Sequence, residues 1–236
     1  MSDTSRHRAG DSAELSRALS EGPLVTEGPG LLVMDVDSTL IEQEVIELIA
    51  ERAGTRELVA EVTARAMRGE LDFAASLRER VATLAGVPQG VFAEVLAEVR
   101  PTQGAAELIE ALHARGCRVG VVSGGFEEVV VPLAERLGID HVAANRLEVV
   151  EGRLTGRVMG RIVDRQEKVR CLIAWAQQDG VPMERTIAVG DGANDLGMLE
   201  AAGLGVAFCA KPVVVEQADA AIHVRDLRAI LQLIGG

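Results

Sequence analysis

The sequence predicts an α/β fold, in which helices cover a parallel β-sheet, a helical segment follows the first strand and a β-hairpin extends the sheet. Short aliphatic runs alternate along the chain with amphipathic helical patterns, the order that right-handed crossovers in a parallel sheet require. Each run is continuously apolar, as expected for strands buried on both faces. Aromatic residues make up only 2% of the chain, so Val, Leu, Ile and Ala must form the core.

Five apolar runs are the predicted parallel strands. They are GLLVMDV from Gly30, CRVGVVSGG from Cys117, TIAVGDG from Thr186, LGVAF from Leu204 and AAIHV from Ala220. Residues 145–158 instead alternate between apolar and polar on either side of Glu151-Gly152. This alternation around a turn predicts the β-hairpin.

The stretch between the first two strands contains no apolar run and reads as amphipathic helices, with Thr55 and Asp72 as candidate N-caps. We therefore expect three parts in the 236-residue chain. A polar N-terminal extension covers 1–28, with a short helix around 12–19. The core α/β domain covers 29–41 and 101–236, and an inserted helical cap domain covers 42–100.

Composition limits the expected partners and location. The net charge of −12 argues against nucleic-acid binding, which Lys and Arg drive, and against attraction to anionic membranes. No segment reaches the ~20 apolar residues of a membrane helix, and the N-terminal residues lack the apolar core of a signal peptide. Cys117, Cys171 and Cys209 are far apart in the sequence, as expected for free thiols in a reducing cytoplasm.

Polar residues follow three of the predicted strands. These residues are DVDST from Asp35, SGG from Ser123 and DGAND from Asp191, and Lys168 begins the helix before the third strand. Ligands of open parallel sheets bind beyond the carboxyl ends of the strands, so we expect these groups to meet at one edge. Clustered carboxylates are a costly structural device, but with a hydroxyl and a lysine they suit a hard divalent cation and a phosphate.

Each of these elements also has an ordinary structural role. An aspartate at a strand end commonly caps a helix or forms a turn, Ser-Gly-Gly is a common loop, and a lysine early in a helix is usually solvated. The DGAND segment could be a turn or a calcium loop, although it lacks the ligand pattern of an EF-hand. The combination of elements therefore carries the prediction.

The four elements match, in order, the motifs of the haloacid dehalogenase superfamily of phosphotransferases. From about Leu31 to the C terminus the chain resembles the phosphoserine phosphatase family, most clearly in DVDSTLIEQEVIELIA, LDFAASLRERV, VVSGGFEEVV, ANRLEVVEGRLTG, VGDGANDLGML and AGLGVAFCAKP. The resemblance implies a haloacid-dehalogenase-like three-layer αβα fold with a specificity-determining cap. It also implies a phosphoric monoester hydrolase that uses Mg²⁺ to hydrolyse O-phospho-L-serine, the last step of L-serine biosynthesis.

The resemblance assigns the catalytic groups. Asp35 would be the nucleophile that forms an aspartyl-phosphate, and Asp37 would be the general acid and then the general base. Mg²⁺ would be held by Asp35, the Asp37 main-chain carbonyl and Asp191, with Asp195 in support. The phosphate would be bound by Ser123, Gly124, Lys168 and Asn194.

The resemblance also assigns the groups that bind the rest of the substrate. Glu44 would bind the ammonium and Arg80 the carboxylate of phosphoserine, while Met67, Phe73 and Gly124 would line the pocket. Without the resemblance, these residue types also fit purely structural roles. Glu44 can favour a helix dipole, Arg80 can be a surface residue, and Met67 and Phe73 can be core residues.

Two other functions remain open from the sequence. One keeps the chemistry but changes the substrate to another small phosphomonoester, or transfers the phosphoryl group to an alcohol. The other is a non-enzymatic phosphoryl-binding domain, which would need an acceptor aspartate but not a second acid such as Asp37. In the leading prediction the partner is a small-molecule substrate, and the protein is a monomer or homodimer.

Overall fold

The structure, a computed structural model, describes residues 22–235, apart from the side chain of Met67. The short helix predicted around residues 12–19 lies outside the described residues. Within the described range, no helix combines the length and the apolar composition that crossing a bilayer requires.

Seven strands form one sheet: β1 Leu31–Met34, β2 Arg118–Phe126, β3 His141–Val150, β4 Arg153–Met159, β5 Thr186–Gly190, β6 Leu204–Phe208 and β7 Ala220–Ile222. Their order across the sheet is β4-β3-β2-β1-β5-β6-β7. Neighbours pair in parallel, except in the antiparallel β3–β4 hairpin. This topology confirms the predicted α/β fold with its parallel sheet and hairpin.

Helices precede, separate and follow the strands. In chain order they are α1 Pro23–Thr26, α2 Val45–Ala53, α3 Arg56–Met67, α4 Phe73–Ala82, α5 Val91–Glu98, α6 Ala105–Ala114, α7 Glu127–Leu137, α8 Arg165–Gln178, α9 Leu196–Ala201, α10 Pro212–Val215 and α11 Ala229–Leu233. Helices α2–α5 lie between β1 and β2 in the chain, so the predicted helical insertion after the first strand is confirmed.

The core has two hydrophobic clusters, one on each face of the sheet. Along β1, Leu32 and Met34 belong to one cluster and Leu31 and Val33 to the other, and all four are fully buried. Helices α6 and α7 contribute to the first cluster, and α8 and α9 to the second. The result is three layers, with the central strand apolar on both faces, as its sequence predicts.

The inserted helices α2–α5 share the first of these clusters. Ile49, Val59, Leu77 and Val95 belong to the same contiguous core as the residues of α6 and α7. Apolar burial therefore continues from the sheet into the insertion, and the boundaries predicted for a separate cap domain stay a prediction.

Thr55 and Asp72 both occupy the predicted N-cap positions, but only Asp72 makes a side-chain capping bond. The Asp72 carboxylate accepts a hydrogen bond from the Ala75 N–H at 2.7 Å and caps α4 as expected. Thr55 precedes α3, but it makes no capping bond, and its hydroxyl has no partner among the described residues. Its backbone, with φ −114° and ψ 13°, departs from the extended conformation that an N-cap normally adopts.

Gly120 in β2 lies against the stacked rings of Trp175 and His141, whose centroids are 5.2 Å apart. A Cβ at Gly120 would lie 2.9 Å from two carbons of the Trp175 ring. We expect Gly120→Ala to lower the free energy of unfolding by about 1–3 kcal/mol, because the ring or the strand must shift. Urea denaturation measures this change.

Gly90→Ala is the matched control. Gly90 has φ −57°, and no heavy atom lies within 4 Å of an added Cβ, so a change within about 0.5 kcal/mol is expected. Equal destabilisation by both substitutions would contradict the packing argument.

Candidate active site

The candidate site is a cleft of about 140 Å³ between the carboxyl ends of the strands and the inserted helices. Parallel strands end at a common edge, so the last residues of β2 and the loops after β1, β5 and β6 all reach it. The lining residues are Asp35, Asp37, Glu44, Ile46, Phe73, Leu77, Arg80, Gly124, Gly125, Asp191, Gly192, Asn194 and Lys211.

A tight turn after β1 brings two aspartates into this cleft. The Asp35 N–H donates to the Val189 carbonyl at 2.9 Å, which extends the β1–β5 pairing by one residue. In the following turn Ser38 has φ +58°, in the left-handed region that residues other than glycine rarely adopt. The Ile41 N–H closes the turn on the Val36 carbonyl at 3.0 Å. Backbone strain of this kind is typical of functional sites.

The ammonium of Lys168 joins two buried carboxylates. Its Nζ lies 2.8 Å from Asp35 Oδ1 and 2.6 Å from Asp195 Oδ1, and Lys168 and Asp195 are fully buried. Burial lowers the pKa of Lys168, but the charges of Asp195 and Asp35 outweigh it and hold the pKa above its ordinary value. One ammonium faces two carboxyl groups, so it can neutralise only one of them when both are ionised.

Burial raises the pKa values of the three aspartates nearest the cleft. Burial and then the charge of Asp195 raise the pKa of Asp35 to about 8. Burial and the charge of Glu44 raise the pKa of Asp37 well above its ordinary value. Burial and Asp195 raise the pKa of Asp191 to about 6. Without a further cation, each of these carboxyl groups is harder to ionise than a carboxyl group in water.

Three carboxylates are placed to hold a divalent metal ion. Asp35, Asp191 and Asp195 each offer an oxygen, and the three oxygens lie within 4.8 Å of one another. Carboxylate oxygens are the donors that hard divalent cations prefer. Both oxygens of Asp195 already accept hydrogen bonds, from Lys168 at 2.6 Å and from the Gly192 N–H at 3.0 Å. This arrangement fits a supporting part for Asp195 and a ligating part for the other two.

The carboxyl-terminal part of β2 approaches the two sides of the cleft closely. Ser123 Oγ accepts a hydrogen bond from the Gly125 N–H at 2.8 Å. A Cβ at Gly125 would lie 3.4 Å from Asp37 Oδ2, and one at Gly124 would lie 3.0 Å from the Phe73 ring. The absence of side chains at these two positions therefore lets main-chain groups face the space between Asp37 and Phe73.

The inserted helices and the residue before them contribute a carboxylate and a guanidinium to the opposite wall of the cleft. Glu44 immediately precedes α2, and its Oε1 accepts a hydrogen bond from Ser38 Oγ at 2.8 Å. Glu44 makes no capping bond to α2, so its contacts do not support a role as a helix cap. Arg80 of α4 lines the cleft. Burial lowers the pKa of Arg80 below its ordinary value, although the negative charges of Glu44 and Asp37 act in the opposite direction.

Eight of the predicted site residues line the cleft, and these are Asp35, Asp37, Glu44, Phe73, Arg80, Gly124, Asp191 and Asn194. Ser123, Lys168 and Asp195 lie directly behind them and are buried. The side chain of Met67 lies outside the described part of the structure, and the roles of all these residues stay predictions.

Sequence reasoning missed two residues of this region. Lys211, beyond the end of β6, lines the cleft; the signal for it was the segment AGLGVAFCAKP, which resembles the family but in which Lys211 was given no role. Asn145 is buried, donates to the Gly124 carbonyl at 2.9 Å and accepts from the Val163 N–H at 2.9 Å. The sequence placed Asn145 in the hairpin segment and in the resembling motif ANRLEVVEGRLTG, but gave it no role.

Comparison with known proteins assigns the class of hydrolase. Residues 32–200 match the family model described as haloacid dehalogenase-like hydrolase. A solved structure described as a phospho-aspartyl intermediate analogue of phosphoserine phosphatase aligns with a TM-score of 0.82 at 46% identity, covering 86% of this chain and 98% of the other. A substrate-bound phosphoserine phosphatase complex aligns with a TM-score of 0.82 at 45% identity, covering 86% and 97%.

A relative of 53% identity places the chain in one family within this class of hydrolases. The phosphoserine phosphatase of Streptococcus thermophilus is 53% identical over 210 residues, which cover 89% of this chain and 98% of the relative. The chain belongs to the haloacid dehalogenase-like hydrolases and, within them, to the phosphoserine phosphatase family.

The raised pKa of Asp191 gives a pH-dependent prediction for metal-free protein. The pKa is about 6 in the folded protein and near 3.9 in an unfolded chain, so folding favours the protonated form. The stability that protonated Asp191 contributes is full below pH 4 and is lost as the pH rises to about 6. Asp191→Asn should therefore raise the free energy of unfolding by about 2–3 kcal/mol at pH 8 and leave it nearly unchanged at pH 4.

Urea denaturation in EDTA at the two pH values measures this difference. Glu216→Gln, which removes an exposed carboxylate, is the control and should show no such pH dependence. An Asp191→Asn variant that is no more stable than wild type at pH 8 would show that the ionised Asp191 carboxylate does not destabilise the folded protein.

Proposed function

We propose that the protein is an Mg²⁺-dependent phosphoserine phosphatase that hydrolyses O-phospho-L-serine to L-serine and phosphate through an aspartyl-phosphate. One observation carries the proposal: Asp35, paired with a buried lysine, and Asp37, without such a pairing, share a cleft with Glu44 and Arg80. The relative from Streptococcus thermophilus, named phosphoserine phosphatase, supports the same activity.

Asp35 is the nucleophile in this mechanism. Its carboxylate attacks phosphorus and forms an O–P bond while the bond from phosphorus to the serine oxygen breaks. Attack requires the ionised form, which the Lys168 ammonium at 2.8 Å favours. Asp35, Asp191 and the main-chain carbonyl of Asp37 would hold Mg²⁺, which would neutralise charge on the carboxylates and the phosphate.

Asp37 is the proton donor and later the proton acceptor. Its raised pKa, caused by burial and by the charges of Glu44 and Asp35, keeps a proton available for the departing serine oxygen. Asp37 Oδ1 is buried and has no hydrogen-bond partner among residues 22–235, so it is free to bond to substrate. After serine leaves, the Asp37 carboxylate accepts a proton from the water that attacks the aspartyl-phosphate.

The phosphoryl oxygens are bound by groups that already surround Asp35. An ammonium has three N–H donors, and Lys168 uses two of them on Asp35 and Asp195, which leaves one for the phosphate. The Ser123 hydroxyl, the main chain at Gly124 and the Asn194 side chain would supply further donors. Donors fixed in advance stabilise the charge of the transition state without reorganisation.

The inserted helices supply specificity for an amino acid. Phosphoserine carries an ammonium and a carboxylate besides its phosphate, and the cleft offers Glu44 and Arg80 as groups of opposite charge. Arg80 suits a carboxylate because its guanidinium can donate two parallel hydrogen bonds. Phe73 lines the same wall and provides apolar surface for the carbon chain.

A cytoplasmic location is part of the proposal. Cys117, Cys171 and Cys209 are free cysteines, and free thiols persist in reducing compartments. L-serine formation there would complete serine biosynthesis.

Phosphate release from O-phospho-L-serine tests the activity, with Mg²⁺, with EDTA and with Ca²⁺ in place of Mg²⁺. Wild type should be active only with Mg²⁺, and Asp35→Asn should abolish turnover because the nucleophile is removed. Asp37→Asn should slow phosphoserine hydrolysis by about 10²–10⁴-fold. It should slow release of p-nitrophenol from p-nitrophenyl phosphate much less, because that leaving group departs without a proton.

Glu216→Gln serves again as an exposed control and should retain wild-type rates. Comparable activity toward phosphothreonine and sugar phosphates would reject the proposed substrate, and undiminished turnover by Asp35→Asn would reject the mechanism.

The proposed carboxylate contact of Arg80 has its own test. Arg80→Gln should raise KM for phosphoserine about tenfold or more, since a charge-assisted bidentate contact is lost. KM for phosphoethanolamine, which has no carboxylate, should change little. Arg78→Gln, an exposed neighbour on the same helix, is the control, and steady-state kinetics on both substrates give the result. An equal loss with both substrates would contradict the assignment.

A further inference from the structure

The chain uses arginine for nearly all of its positive charges. Lysine and arginine total 24, and only Lys168 and Lys211 are lysines. Lys168 is the buried cation between Asp35 and Asp195. Lys211 is exposed and lines the same cleft. Both lysines of the chain therefore lie at one site, and the mechanism above uses only the first.

Main-chain contacts fix the position of Lys211 at the edge of the sheet. Directly after β6, Cys209 takes the left-handed conformation with φ +46°, and its N–H donates to the Ile222 carbonyl at 2.8 Å. Two residues later the Lys211 N–H donates to the Asp191 carbonyl at 3.2 Å. Lys211 is thus tied to the loop that carries a proposed metal ligand.

The ammonium of Lys211 makes no ion pair or hydrogen bond within residues 22–235. Several other exposed cations are paired with carboxylates; Arg68, for example, binds Glu70 at 2.6 Å, and Arg118 binds Asp140 at 2.6 Å. An unpaired charge at the edge of an acidic cleft is thus available to an anion that enters from solvent.

Lys211 also lies where two clefts meet. A second cleft of about 420 Å³ adjoins the first, and both are lined by Phe73, Arg80, Asn194 and Lys211. Arg165 lines only the second cleft. A phosphate monoester that approaches a chain of net charge −12 is repelled on average, so entry requires a local positive field.

We propose that Lys211 is a further substrate-binding residue, whose ammonium captures the dianionic phosphate group at the cleft mouth. Lysine suits this task because it is a compact charge on a flexible stem and can follow the anion inward. The same contact would hold the inorganic phosphate product. The proposal rests on the proposed phosphatase activity for its substrate, but the binding of phosphate itself can be tested independently.

Lys211→Gln tests the proposal in steady-state kinetics with phosphoserine and with p-nitrophenyl phosphate, and in inhibition by inorganic phosphate. At low ionic strength we expect KM and the phosphate inhibition constant to rise about three- to tenfold. The value of kcat should stay within about twofold of wild type, because Lys211 does not touch the reacting bond. The difference should shrink at high salt, and Lys211→Arg should keep most of the affinity.

Arg115→Gln is the matched control, since Arg115 is exposed at the opposite edge of the sheet, before β2. It removes one positive charge and should leave KM and phosphate inhibition unchanged. Unchanged constants in Lys211→Gln, equal changes in Arg115→Gln, or a fall in kcat without a rise in KM would overturn the proposal.

Lysine labelling gives a second readout. Because Lys168 is fully buried, an amine reagent should modify Lys211 as the only accessible lysine, and inorganic phosphate should slow that modification. Labelling unaffected by phosphate would also overturn the proposal. If wild type were inactive on phosphoserine but phosphate still protected Lys211 from labelling, the proposed substrate would be wrong. The proposal that Lys211 binds phosphate would still be supported.

Discussion

The paired contact of one buried lysine with two buried aspartates determines the geometry of the site. Lys168 extends from α8 to Asp35, just after β1, and to Asp195, beyond the end of β5. Loss of one partner from such a buried group leaves an uncompensated charge, at a cost of about 3–5 kcal/mol. The same contact therefore joins a helix to two strand ends and places the proposed nucleophile.

This contact also explains how two aspartates in one turn can differ in chemistry. Asp35 lies 2.8 Å from the Lys168 ammonium and belongs to the cluster of three carboxylates that suits a metal ion. Asp37 is buried and lies near negative charge, chiefly that of Glu44, and both effects raise its pKa. Environments that separate two carboxyl groups in this way are how a site obtains a nucleophile and an acid from the same residue type. The turn through Ser38 thus places the two carboxyl groups in different surroundings.

Local patterns were enough to predict the central strands and the acidic strand ends, because apolar runs and their polar boundaries are features of adjacent residues. They were not enough for β3, which begins at His141, before the predicted hairpin at 145. Its first residues pair in parallel with β2, and no short-range alternation indicates such pairing. Lys211 and Asn145 were missed for the same reason, since their contacts with the Asp191 and Gly124 carbonyls join distant parts of the chain.

The inserted helices are connected to the sheet at the turn that carries Asp37. The two connecting segments run side by side, with the Glu42 N–H bonded to the Arg100 carbonyl at 3.0 Å. Thr102 then bonds back to the turn, through its N–H to the Leu40 carbonyl at 2.8 Å and its hydroxyl to the Thr39 carbonyl at 2.7 Å. Because Glu44 follows this connection and also bonds to the turn through Ser38, its distance from Asp37 is set by a few local hydrogen bonds. Specificity and proton transfer would thus be aligned by the same short piece of chain.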